Sequence, residues 1–520
     1  MWTRRIVLVL VVAAGYWLWF GLTQRSINGD DGISILAAQS ILRDGYPLLP
    51  SGLLYHRAYL ANYLLAGSIG FFGLNDFGIM LPSLLMSLGT LWLVFRFAAE
   101  AFQRPAAGLL AAVLLLTLQS QTFYATSARM YMAVQCFTLL AGYCAWRGFV
   151  QGRRPFQWLT GLAMAAAILS HQQGGAVLVM VPVAVWLIRR MQGRRACTSN
   201  LWRVAAGFLV LCGVFFAATI YKPPIALFDP GARDWEPMPY VQLNVRLERW
   251  WAHALEVEST VPFGVMLLPL VLALAVRAGR RREHKLSQGV VFACALLAVN
   301  AAAIMGTIYI VDWRFWFQPL PFYVLLLSVA LVWLRGWWRS PQARGKWRGL
   351  PKRAAVAWGL AGWTATVLLG SGFAFGPGIY LEHVREAYGL PCRAGNCVKA
   401  IEEQYAALRP VIGAEDLLIS SNEALTSYYL GRVDGFLRER VAGPGQFEPF
   451  ERPRDLYYGV PYIDTVEELA RLARSPRRVW VLVDYKVEGH SSPELLAALA
   501  RTFTAYRRYE TLTVYVNSPP

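Results

Sequence analysis

Long apolar stretches recur along this chain far more often than a water-soluble core requires. Segments of membrane-spanning length fall at 5–24, 78–99, 106–123, 131–149, 157–171, 174–188, 203–221, 261–277, 288–311, 316–334 and 354–374. A helix crosses a hydrocarbon core of about 30 Å with roughly 20 apolar residues. The 520 residues are 56% hydrophobic with a mean hydropathy of +0.38, a balance that excludes an ordinary soluble domain. The expected fold is therefore a polytopic α-helical membrane protein. Arg4 and Arg5 before the first apolar run resemble a signal peptide, but no small-residue cleavage site follows. The run reads as a retained first helix.

The bases decide the orientation. Loops 100–105, 150–156, 189–202, 278–287 and 335–353 are the basic ones, as in "RRMQGRRACTSNLWR" and "RGWWRSPQARGKWRGLPKR". Placing them and the N-terminus in the cytoplasm puts 24 Lys/Arg there against nine on the outer side of the membrane part. That arrangement requires the short apolar piece 59–72 not to cross, and it gives eleven spans; a crossing there would make twelve and scatter the bases. The net charge of +18 is thus a topology signal, and no aromatic-interleaved basic patch marks a nucleic-acid surface. From residue 376 onward 17 Lys/Arg face 19 Asp/Glu, so the tail is nearly neutral.

Two domains follow from this: a membrane domain over 1–375 with outer loops 25–77 and 222–260, and an extracytoplasmic domain over 376–520. The tail alternates strand-like and helix-like pieces ("DLLISS", "NEALTSYYLG", "TVEELARLARS", "RRVWVLVD", "SPELLAALARTF", "TLTVYV"), a small α/β domain. Cys392 and Cys397 lie in this exported part, where a disulfide can persist. In the first outer loop, "DDGISILAAQSILRDG" repeats Ile33, Leu36, Ala37 and Ile41 at helical spacing and stops at Gly45. It reads as an amphipathic helix along the membrane surface. The acids of the membrane part fall largely on this outer side, which places the polar chemistry there.

Polar residues gather at that rim: Asp30 and Asp31; His56, Arg57 and Tyr59; Arg129 and Tyr131 in "SARMYM"; His171 in "LSHQQGG"; Lys222; Asp312 and Arg314 in "IVDWRFWFQPLP". A carboxylate among cations at the water edge of a bundle suits a lipid that carries a phosphate. If that lipid is a polyprenyl-phosphate sugar, the phosphate leaves without help from a general acid. One carboxylate to accept a proton from an acceptor hydroxyl, and cations to hold the phosphate, then suffice.

The acidic pair, the "ARMY" element opening a helix, the His at an outer turn and the "RFWFQPLP" stretch together resemble the GT-C membrane glycosyltransferases of the protein O-mannosyltransferase and lipid A aminoarabinose transferase group (glycosyltransferase family 39-like). The resemblance covers most of 1–335. It implies an inner-membrane enzyme that moves a sugar, with inversion, from a polyprenyl-phosphate donor to a hydroxyl acceptor. Asp30 or Asp31 takes the catalytic carboxylate position. Arg129 takes the phosphate-binding one, with Arg57, Lys222 and Arg314 as further donor contacts and Tyr59, Tyr131 and His171 as other substrate contacts. The chain has Asp-Asp where the protein mannosyltransferases carry Asp-Glu, and no inserted sugar-binding repeat domain. No cofactor is required; some relatives hold a divalent metal, for which His56 and His253 are the candidate ligands in this chain.

Plainer readings stand beside these. The acids can cap the following helix; if it begins after the pair, Asp31 is the cap and Asp30 the freer carboxylate. Arg129 can be an interfacial anchor, His171 a turn residue satisfied by backbone, and Arg314 the structural partner of Asp312. The rival from a different class is a transporter or flippase of a lipid-linked sugar, which would show inverted repeats around a midplane site.

Overall fold

The computed structural model describes residues 1–23, 27, 29–52, 54–55, 58–193, 201–220, 284–307, 317–339, 397–438, 454–455, 457–484, 491–509 and 511–517. Spans 261–277 and 354–374, the loop 222–260 and Cys392 lie outside them, as do His56, Arg57, Lys222, His253, Asp312 and Arg314. The helices of the first part are α1 (Trp2–Thr23), α2 (Gly29–Asp44), α3 (Tyr59–Phe72), α4 (Asp76–Ala101), α5 (Pro105–Thr117), α6 (Gln119–Ala125), α7 (Tyr131–Ala145), α8 (Arg154–Ser170), α9 (Val177–Met191), α10 (Leu201–Ile220), α11 (His284–Thr307) and α12 (Leu320–Arg339). Among the described residues Trp2–Thr23, Asp76–Ala101 and Gln172–Met191 are long and apolar enough to cross a membrane, and several shorter apolar helices accompany them. Large apolar side chains stay exposed on α1 (Leu8, Val11), α9 (Val179, Trp186) and α10 (Leu209, Val214). In water such belts would be costly; against lipid tails they are not.

One buried cluster joins α1, α4, α5, α7, α8, α9, α11 and α12. Small residues set the closest approaches. A Cβ at Gly161 of α8 would lie 2.0 Å from the Val204 carbonyl oxygen of α10, and one at Gly207 would lie 2.4 Å from that of Trp158. This is the small-residue contact by which helices associate in lipid, where no hydrophobic force drives them together.

Two sequence expectations change. The stretch 106–123 is not one helix: Leu118 is extended (φ −72, ψ 133) and separates α5 from α6. Gln121 and Thr122 after it are buried and hydrogen-bonded, with Gln121 donating to Ser87 at 2.9 Å and Trp17 of α1 donating to Thr122 at 3.3 Å. Nor does α2 lie along lipid. Asp31, Ile33, Ser34, Ile35, Ala37, Ala38, Ser40 and Ile41 are all buried, because protein covers both sides of the helix. The helix α3 has 14 residues, about 21 Å at 1.5 Å per residue, short of a hydrocarbon core.

What covers α2 is the C-terminal part. It contains α13 (Cys397–Leu408), β1 (Leu417–Ser420), α14 (Glu423–Leu430), β2 (Gly435–Leu437), β3 (Tyr462–Ile463), α15 (Val466–Ala473), β4 (Val479–Asp484), α16 (Pro493–Thr502), β5 (Thr504–Arg508) and β6 (Leu512–Val516). The six strands form one sheet in the order β3-β2-β1-β4-β6-β5. β3, β2, β1 and β4 pair in parallel, and β6 and β5 add an antiparallel edge. β4 is buried at five of its six positions, as a strand covered on both faces should be.

The sheet unit and the bundle share a core. Ile35, Ala38 and Ile41 of α2 and Leu65 and Ile69 of α3 pack in one cluster with Tyr405, Leu425, Tyr429 and Trp480. A second contact fixes the loops: Ser51 donates its N–H to the Tyr457 carbonyl at 3.2 Å. There Gly459 has φ +67, and a Cβ would meet Ser51 Cα at 2.9 Å, so both conformation and space call for glycine.

Candidate active site

The acidic pair occupies the first turn of α2, where the helix dipole favours negative charge. The two carboxylates have different surroundings. Asp31 is fully buried; its Oδ1 accepts from the Ala128 N–H at 2.9 Å and from Ser127 Oγ at 3.1 Å. Ser127 Oγ in turn accepts from the Arg129 N–H at 3.0 Å, and the Ser127 carbonyl accepts from Ser83 of α4. The turn 126–130 is thus tied to α2 on one side and α4 on the other. Asp31 works across the fold, beyond the capping role read from its position.

Asp30 points the other way, its side chain 53% exposed, and pairs with Arg129 at 3.2 Å. Arg129 also donates from Nη1 to the Asp30 carbonyl at 2.9 Å. The arginine side chain is only 8% exposed, which rules out an interfacial anchor. Burial is the largest single influence and works against its charge, but Asp30, Tyr55, Tyr131 and Asp31 together outweigh it, so the guanidinium is held charged more firmly than usual. Its five N–H donors exceed the two that Asp30 takes.

Aromatic rings support this pair. The Arg129 guanidinium stands 5.6 Å from the Tyr131 ring centre. Tyr131 contacts Tyr124 at 4.8 Å and His171 at 5.7 Å, and Tyr124 contacts Phe317 at 4.6 Å. Gln135 of α7 holds the Phe317 carbonyl at 2.7 Å, and Gln318 donates to Thr138 at 2.9 Å, so the described end of "RFWFQPLP" is fastened to the same helix. His171 is buried in the turn between α8 and α9, and its Nδ1 accepts from the Gln173 N–H at 3.2 Å. It is a turn residue and a wall of the aromatic group at once. Tyr59 opens α3, half-buried, outside this group.

A small, mostly apolar pocket borders Arg129, lined by Leu64 and Leu65 of α3, Ile79, Pro82, Ser83 and Met86 of α4, and by Ala128 and Ala133. Among the described residues no three His, Cys, Asp or Glu side chains converge to hold a metal, so no chemical step is drawn through one.

Sequence reasoning passed over Ser127, which links Asp31 to the Arg129 backbone; its place two residues before the arginine in "SARMY" was the available signal. The interlock gives an expected outcome. Asp31→Ala leaves the Ala128 N–H and the Ser127 hydroxyl buried without their charged partner, a loss of about 2–4 kcal/mol. Asp31→Asn keeps an acceptor oxygen and should lose less. Thermal unfolding of the purified variants in one detergent checks the order.

The chain resembles known proteins in sequence and in fold. Residues 56–220 match the Dolichyl-phosphate-mannose-protein mannosyltransferase family. No curated protein sequence matches the chain. Among solved structures, ArnT from Cupriavidus metallidurans bound to undecaprenyl phosphate superposes with a TM-score of 0.62 at 16% identity, over 99% of this chain and 98% of that one. Its apo state gives 0.63 at the same identity and coverage. The Archaeoglobus fulgidus oligosaccharyltransferase in its apo form gives 0.54 at 13% identity, over 99% of this chain and 74% of that one. The chain shares the fold of these solved structures, in keeping with the GT-C resemblance read from the sequence.

Proposed function

We propose that the chain is an inverting membrane glycosyltransferase that takes a sugar from a polyprenyl-phosphate donor and passes it to an acceptor hydroxyl. The observation that carries this reading is the pairing of a half-exposed carboxylate, Asp30, with a buried arginine that borders a small apolar pocket. The fold supports it, as does the family matched by residues 56–220.

In this reading the donor's lipid chain lies against the pocket between α3 and α4 and its phosphate meets Arg129. Engagement of the phosphate draws the guanidinium from the Asp30 carboxylate, which is then available as a base. Asp30 takes the proton of the acceptor O–H, and the oxygen attacks the anomeric carbon. The bond from that carbon to the phosphate oxygen breaks, its electron pair leaves with the phosphate, and Arg129 stabilises the added charge. Asp31 is the positioning residue, holding the turn that aims Arg129. Arg57, Lys222 and Arg314 add cations around the phosphate, and Tyr131 and His171 form the wall against the sugar. The distribution of bases supports a site on the extracytoplasmic side of an inner membrane, with eleven spans and the N-terminus in the cytoplasm.

The test is transfer in detergent by the purified chain from a synthetic polyprenyl-phosphate sugar to a hydroxyl-bearing acceptor. A new glycoside and free polyprenyl phosphate are expected. A lipid-linked sugar flippase would leave the donor intact, and that result would end this reading.

A further inference from the structure

The sheet unit carries chemistry that the Asp30–Arg129 site does not use. Its parallel strands run outward from β1 to β2 and β3, and β4 is then laid on the other side of β1. The crevice outside the carboxyl ends of β1 and β4 is therefore a topological switch point, the place where open α/β sheets bind ligands. Ser421, Asn422 and Glu423 follow β1 there, and Asp484 ends β4.

That crevice abuts the acidic pair. A Cβ at Gly29 would lie 3.0 Å from Asn422 Oδ1, and one at Gly32 would lie 3.3 Å from the Ala424 carbonyl. The residues flanking Asp30 and Asp31 thus touch those flanking Glu423. Ala424 and Tyr458 also share a buried cluster with Ile33, Tyr55, Tyr124 and Tyr131, the wall of the site already described.

Two of the carboxylates shape this crevice. Asp484 accepts from Ser421 Oγ at 3.0 Å and Asn422 Nδ2 at 2.8 Å, and Asp455 accepts from the N–H groups of Tyr457 at 2.8 Å and Tyr458 at 2.6 Å. Two groups remain. Among the described residues, Glu423 has no hydrogen bond to another residue, and the Tyr458 hydroxyl has no partner although the residue is only 6% exposed. The two lie within electrostatic reach of each other, and both also feel Asp455. A buried hydroxyl without a partner is costly, so one is expected from a ligand. Burial and Asp455 hold the Glu423 carboxyl above the usual carboxylate range despite Arg438 nearby, so this corner resists further negative charge.

We propose that Glu423 and Tyr458 form the acceptor site, binding adjacent hydroxyls of a neutral sugar so that a further hydroxyl of the same molecule reaches Asp30. This rests on the transferase reading above and sorts the two substrates by charge. The anionic donor head goes to Arg129, and an uncharged polyol goes to the carboxylate-lined crevice. The Glu423 carboxyl bonds sugar hydroxyls, and the charged Asp455 and Asp484 beside it repel a phosphorylated acceptor.

The test is binding by the full-length chain in lipid nanodiscs, free of glycoside detergent, followed by saturation-transfer NMR. The probes are a soluble neutral disaccharide glycoside, its phosphorylated counterpart and a serine-containing peptide. The neutral glycoside should bind the wild type. Glu423→Gln and Tyr458→Phe should each weaken it by about three- to tenfold, the scale of one neutral hydrogen bond. Tyr458→Phe should melt no lower than wild type, since it removes a hydroxyl that has no partner; this separates lost recognition from lost folding. No binding by the wild type, binding indifferent to both substitutions, or preference for the phosphorylated glycoside or the peptide would overturn the proposal. If the glycoside binds as expected but is never glycosylated, the transferase reading fails instead.

Discussion

Asp30→Asn is expected to lower sugar transfer by about 10²–10⁴-fold, the range that a positioned general base contributes. The amide cannot take the acceptor proton, yet it keeps nearly the shape of the carboxylate. Arg129 loses its charged partner but keeps the Asp30 carbonyl, to which it donates at 2.9 Å. Donor affinity should therefore hold or rise, because the arginine no longer divides its charge between a carboxylate and the phosphate. Single-turnover rates and donor binding measured on the same preparation separate the two effects. Asp31→Asn serves as the control. Its acid is buried and engaged by Ser127 and Ala128, so its variant should stay within about tenfold of wild type in rate. Equal losses at the two positions would remove the distinction between base and positioning residue.

Arg129→Ala should fail differently. The phosphate loses its buried cation both in the bound donor and in the transition state, where its charge grows. A loss of about 10²–10³-fold in rate, the scale of one preorganised oxyanion donor, should come with weakened donor binding. Arg129→Lys retains the charge but loses the planar fork that bonds the Asp30 carbonyl and carboxylate together, so it should recover only part of the activity. Unlike Asp30→Asn, these variants should show their defect in donor titrations. A donor affinity unchanged in Arg129→Ala would place the phosphate elsewhere.

The sequence made local patterns legible and left long-range partnerships hidden. The helix from Gly29 to Asp44 could be read from apolar spacing and its stop at Gly45, and the alternation of the tail anticipated β1, β4 and β6. Short strands gave no such signal: β2 has three residues and β3 two, and both owe their form to neighbours in the sheet. The break at Leu118 was hidden because leucine has no aversion to helix; the buried bonds that Gln121 donates to Ser87 and Thr122 accepts from Trp17 lie in α6, just after it. The apolar face of α2 was plain, but not what would cover it. Lipid and a sheet of the same chain ask for the same side chains.

The site shows the same division. Asp30, Asp31 and Arg129 stood out because charges are conspicuous beside membrane segments. That Asp31 would meet Ser127, 96 residues further on, was not readable from either residue. The same holds for Glu423 and Tyr458, ordinary surface residues in a one-dimensional view. Only the parallel sheet and its contact with α2 bring them to the acidic pair.

The proposed chemistry requires a single displacement, with one carboxylate as base and no covalent sugar on the protein. The configuration of the new glycosidic bond, read by NMR on product made from a donor of known anomer, tests this most directly. Inversion, with one polyprenyl phosphate released per glycoside formed, is the predicted result. Retention would require a second nucleophile at the anomeric carbon and would contradict the roles of Asp30 as base and Arg129 as phosphate clamp.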